Sequence, residues 1–133
     1  MLPKEIVNAR IERTQLGPES HGIFSAYLML RFGSCGQSFG GYSLDAHVES
    51  PSFGGERLKA PYDRIGTAYG MTFIARTMWA VGVASWEELT GKYCRIETEG
   101  NGGLIRAIGH IVEDRWFRPD DMQREFFPEA SAA

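Results

Sequence analysis

The residues of this chain best suited to chemistry are those that hold a phosphate-bearing ligand rather than break a bond. Arg31 closes an apolar run just before the turn from Gly33 to Gly36, and a guanidinium fork matches phosphate oxygens in shape and charge. Gly40 and Gly41 lie mid-strand between Phe39 and Tyr42, where the missing side chains let a ligand reach backbone amides. Tyr69, Phe73 and Arg76 follow at helical spacing and offer two ring planes and a cation to a nucleobase. Arg106 adds a further positive charge. The same aromatic stripe would equally serve a core or a subunit interface, so both readings stand at this point.

Catalytic arrangements fit poorly. Gly36 to Gly40 match G-x-S-x-G around Ser38, yet a nucleophile elbow needs a helix after the turn and a much larger sheet. Here the residues that follow read as strand, so Ser38 is expected to be an ordinary strand serine. His21, His47 and His110 have no neighbouring His, Cys or spaced carboxylate pair and are expected to be structural or surface residues. Gly91-Lys92 lacks the upstream glycine of a phosphate-binding loop, and Tyr93 replaces the hydroxyl residue that would hold magnesium. Glu87-Glu88 suits the start of a helical turn, and Asp120-Asp121 lies in the tail. Cys35 and Cys94, far apart and without metal-ligand spacing, read as free thiols in a reducing compartment. The expectation is a binder, not an enzyme, with no cofactor and no metal.

The elements that must position these residues follow from periodicity. Ile6 to Thr14 alternates, with Val7, Ala9 and Ile11 on one face and Asn8, Arg10 and Glu12 on the other, the mark of a half-buried strand. A turn is expected over Leu16 to Ser20, then a central strand over Gly22 to Phe32 and a third over Gln37 to Asp45. Ala46 to Ile65 has no period and contains two prolines and two glycines, so it reads as a long loop. A helix runs from near Gly66 to a stop at Gly82, with Met71, Ile74, Ala75, Met78 and Val81 as its core stripe. Tyr69, Phe73, Arg76 and Ala80 form a second apolar stripe, which predicts a homo-oligomer to cover it.

Ser85 to Glu88 fits a capping box. Lys92 to Glu99 and Leu104 to Val112 then form a hairpin around Gly100-Asn101-Gly102-Gly103. The fold class is therefore α+β: an antiparallel sheet of about five strands, in the order βββ-α-ββ, with one main helix packed on it. That order is shared with the oligonucleotide-binding (OB) barrel, and an open sheet fits it equally well. One domain over residues 1–117 is expected, followed by an irregular tail over 118–133.

The 133 residues carry 14 basic and 17 acidic side chains, a net charge of −3, which weighs against a protein that coats long nucleic acid. Glycine numbers 16, well above the usual share of about 7%. No apolar run approaches a membrane span, and the start of the chain does not read as an export signal, so a cytoplasmic protein without membrane contact is expected.

Four segments carry a resemblance: His21–Leu28 (HGIFSAYL), Gly36–Asp45 (GQSFGGYSLD), Val83–Arg95 (VASWEELTGKYCR), and Arg106–Val112 (RAIGHIV) with Trp116-Phe117. They resemble a widespread group of small phage and prophage proteins, and through it the Thoeris anti-defence sponges, which bind cyclic ADP-ribose-type signals or other cyclic nucleotides without cleaving them. The resemblance implies an oligomeric, non-enzymatic binder that lowers the free concentration of an immune signal inside the host cell. No ligand residue is carried over from that family. Arg31, Gly40, Gly41, Tyr69, Phe73, Arg76 and Arg106 rest on their own chemistry. Two alternatives stay open: an OB-like single-stranded DNA-binding accessory protein of phage, and an inhibitor that binds a host defence protein directly.

Overall fold

The computed structural model describes residues 4–19, 22–49, 52–100 and 103–131. Its strands are β1 (Glu5–Pro18), β2 (Phe24–Phe32), β3 (Cys35–Ser43), β4 (Asp45–His47), β5 (Ser52–Phe53), β6 (Glu56–Arg57), β7 (Arg64–Gly66), β8 (Tyr93–Thr98), β9 (Ile105–Gly109) and β10 (Trp116–Phe117). Its helices are α1 (Ala68–Val81), α2 (Pro119–Phe126) and α3 (Pro128–Ser131), with a 3-10 turn at Trp86–Glu88.

Six strands form one antiparallel sheet in the order β10-β9-β8-β1-β2-β3. The sheet curls until β3 meets β9, giving a half-barrel over which α1 packs against β9 and β10. The fold is the expected α+β class, and its pairing is compatible with the OB order: β1 lies between β2 and β8, and the main helix falls between the two hairpins. Alternation decides which side chains enter the barrel. Ile11, Leu28, Leu30, Ile96 and Ile108 point inward and are fully buried, each contributing roughly 1.5–3 kcal/mol by leaving water.

The helix stripe is a correction. Tyr69, Phe73, Thr77, Ala80 and Val81 face the core, while Met71 stays 65% exposed. Both stripes are apolar, so periodicity could not choose between them; ring volume did. Phe73 stacks on Phe39 at 5.8 Å and meets Phe117 at 5.6 Å and Tyr42 at 5.5 Å, filling the half-barrel. The ends of α1 are set locally. The Thr67 hydroxyl accepts the Gly70 N–H at 2.9 Å, and Gly82 closes the helix with a left-handed φ of 91°. Gly70 is a contact requirement: a Cβ there would lie 2.2 Å from the Leu44 carbonyl oxygen.

Three further expectations are corrected. The turn placed at Leu16 is strand as far as Pro18, because Leu16 pairs with Ala26 and Pro18 with Phe24. The long loop holds two small ladders, β4 with β7 and β5 with β6. The first is pinned by a fork from Arg64 to the Asp45 carboxylate, both bonds 2.8 Å. Residues after Asp114 are not irregular: β10 joins the sheet and α2 buries Met122 completely in the core. The capping box forms as expected, with the Ser85 N–H donating to the Glu88 carboxylate at 3.0 Å. The proposed turn residues Asn101 and Gly102, like His21, lie outside the described residues.

Candidate functional site

The three arginines singled out by the sequence do not converge. Arg31 is exposed on β2 and pairs with Glu12, Arg76 on α1 pairs with Glu125, and Arg106 on β9 pairs with Glu99 at 2.7 Å. In the sheet, β1 and β8 separate β2 from β9. Tyr69 and Phe73 offer no open plane, since Phe73 is wholly buried and Tyr69 is covered by Phe126 and Phe127.

Gly40 is likewise explained without a ligand. A Cβ there would lie 2.6 Å from the Ala26 carbonyl oxygen and 3.1 Å from the Phe73 ring, and its φ is +108°. Helix packing therefore occupies the space that the sequence reading left for a ligand. Of the Gly40–Gly41 pair, Gly41 alone, also at positive φ, faces open space. Ser38 is an exposed strand residue, and His110 caps a turn, its Nδ1 accepting the Val112 and Glu113 N–H groups.

Two of the named residues do share a neighbourhood at the β3–β9 seam. Burial, and then the Asp120 charge, raise the Tyr42 pKa while Arg106 opposes them. Burial, with Tyr42 and Asp120 nearby, raises that of Tyr69.

A different constellation emerges on the outer side of the sheet. Residues paired across strands share a face, so the register places Arg10 with Arg31, Arg13 with Met29, and Gln15 with Tyr27. It adds Ser38 beside Met29 and Tyr93 beside Arg10. Arg13 joins this face because the register shifts between Ile11 and Arg13, a bulge that re-aims the chain. Glu12 sits at that bulge. The hydrogen bond from Arg31 holds its carboxyl below the usual range, and the fields of Arg31, Arg10 and Arg13 add to the effect. Neither Arg10 nor Arg13 makes an ion pair among the described residues. Three guanidiniums thus surround one carboxylate, with Tyr27 half-buried and Tyr93 60% exposed among them.

Sequence reasoning placed Asn8, Arg10 and Glu12 on one polar face but gave that face no role. The available signal was arginine recurring on it; the bulge that brings in Arg13 has no sequence signature.

Comparison of the chain with protein-family models, with curated proteins and with solved structures returns no match.

Two clefts lie elsewhere among the described residues. One of about 820 Å³ opens beside α1, lined by Phe24, Leu44, Ile65, Met71 and Ile74, with the Arg64–Asp45 pair in its wall. None of the arginines named from sequence lines it. The other, about 550 Å³, lies between α1, β10 and α2 and is lined by Trp79, Trp116, Arg118, Asp121 and Glu125, with Arg76 at its edge. Among the described residues, no helix is long and apolar enough to cross a membrane.

Proposed function

We propose that this protein binds single-stranded nucleic acid, without catalysis, along the outer face of β1, β2, β3 and β8. The observation that carries the reading is the grouping of Arg10, Arg13 and Arg31 around the single carboxylate of Glu12, interleaved with Tyr27 and Tyr93. Guanidiniums follow a phosphate backbone, and tyrosine rings stack bases of any sequence. A sheet face of this kind is where OB-type barrels take oligonucleotides. The net charge of −3 limits the strength of the contact but not its place, which the local grouping of Arg10, Arg13 and Arg31 sets.

Fluorescence anisotropy with a labelled oligothymidylate of about 15 nucleotides, a length in the range one OB fold covers, tests this directly. Log affinity should fall against log salt with a slope of about −2, as three neutralised phosphates on a single strand give. Arg13→Glu and Tyr93→Ala should each weaken binding about tenfold. Absence of binding to both DNA and RNA strands at low salt ends the reading.

The cleft beside α1 supports a second reading, capture of a cyclic nucleotide signal as the sponge resemblance implies. Its volume of about 820 Å³ falls in the range of small-ligand sites, although its arginine, Arg64, is held by Asp45. Calorimetry with cyclic ADP-ribose isomers and cyclic oligonucleotides tests it, and a panel without heat removes it. The exposed apolar side of α1, with Met71 and Trp79, supports self-association, which light scattering reads. Both readings place the protein in the host cytoplasm.

A further inference from the structure

We infer that the cleft between α1, β10 and α2 reads a nucleobase, and that the base is guanine. The inference extends the strand-binding proposal, because Trp116 continues the outer side of the sheet two strands beyond β8. It pairs with Gly109, which in turn pairs with Arg95, the outer-face neighbour of Asn8. It also lines the cleft. A strand laid across β2, β1 and β8 therefore reaches the cleft by way of Trp116.

The cleft is built for a flat, uncharged ligand. Its volume of about 550 Å³ accommodates a nucleoside. Phe117 and Met122 line it from the core side. Trp79 is half-exposed, with the Arg115 guanidinium 5.7 Å from its ring centre. Trp116 is a fixed wall: its ring lies so close over Gly109 that a Cβ there would be 2.7 Å away. Arg95 and Arg118 lie over the same ring at 5.2 and 5.7 Å. Around the rim, cations and carboxylates are matched, Arg76 with Glu125 and Arg118 with Glu97, so nothing there selects a phosphate.

What the rim offers is donors beside acceptors. Asp121 and Glu125 are one turn apart on α2 and project to one side. A carboxylate accepts two hydrogen bonds side by side, and an arginine donates two. Guanine presents both complements: N1–H beside its amino group as paired donors, and O6 beside N7 as paired acceptors. Asp121, whose partner Arg124 lies outside the cleft lining, takes the donor pair. The N–H groups of Arg118 not bonded to Glu97 meet the acceptor pair.

The test titrates the full chain with guanosine, adenosine, cytidine and uridine, following tryptophan fluorescence. Guanosine should bind at least about tenfold more tightly than the other three, the discrimination one good bidentate pair supplies. Asp121→Asn should narrow the guanosine preference about tenfold, and Trp79→Leu should diminish the fluorescence response, leaving Trp116 to report. Both positions are exposed, so folding is retained, and the thermal melt checks this. Equal responses to the four nucleosides, or none, overturn the inference. Oligothymidylate binding separates the two readings: retained binding with a reduced guanosine preference in the Asp121→Asn variant supports the cleft, whereas guanosine preference in the unaltered chain without any oligothymidylate binding removes the outer-face proposal alone.

Discussion

Arg10 on β1 lies directly opposite Arg31 on β2, two like charges facing each other across an antiparallel pair. Such pairs cost stability unless something else uses them. Glu12 accepts a hydrogen bond from Arg31 and meets Arg10 only through the attraction of opposite charges, so the repulsion is partly relieved.

Arg10→Gln should therefore leave the melting temperature unchanged or raise stability by up to about 1 kcal/mol, while weakening oligothymidylate binding about fivefold. A thermal melt beside anisotropy reads both. A clear drop in melting temperature would mean that Arg10 stabilises the fold and is not held there at a cost.

Gly70→Ala places a methyl group 2.2 Å from the Leu44 carbonyl oxygen, so the start of α1 must lift from the β3–β4 link. The expected loss is about 3 kcal/mol, in the range of overpacking against rigid backbone. Urea unfolding measures it, and a loss below about 1 kcal/mol would show that the helix start yields easily.

Glu97 is 5% exposed, and its carboxyl is held below its ordinary 4.5 chiefly by the hydrogen bond from Arg118, with Lys4 adding to it. A carboxylate lowered in the folded state stabilises above the unfolded value and loses that contribution as pH falls through the folded one. Stability should therefore decline from about pH 5 downward. Glu97→Gln should be less stable at pH 7 and show a shallower decline, read from urea melts across pH 7 to pH 3. An unchanged slope would assign the acid loss to other groups such as Asp45.

Burial pushes the Cys94 thiol up to about 12, whereas Cys35 lies partly exposed beside the β2–β3 turn. Thiolate is the reactive form. Iodoacetamide at pH 8 should add one group to the native protein, at Cys35, and two after denaturation, counted by intact mass. Two additions to native protein would place Cys94 within reach of solvent.

Much of the fold was legible because alternation and helical period survive in the long elements. Val7, Ala9 and Ile11 mark β1, and Gly82 stops α1 where a left-handed residue is needed. What was not legible depended on partners far along the chain. β4 and β7 are three residues each, too short for a period, and exist because Asp45 meets Arg64. α2 carries one buried methionine among charged residues, which reads as tail until the core it fills is known. The residues named for a ligand did not gather in one place for a related reason. Arginine and aromatic types were recognised, but ion pairs and packing decide which of them remain open, and Glu125, Glu99 and Phe39 settle that from distant positions.

The position of β1 at the middle of the sheet has a consequence for biosynthesis. This strand is made before both of its partners and can pair with β2 as soon as that strand follows, yet its other edge is closed only by β8, some 75 residues later. Until the ribosome has released that segment, the nascent chain carries an open β-edge beside Ala9 and Ile11, the part of the molecule most exposed to wrong pairing.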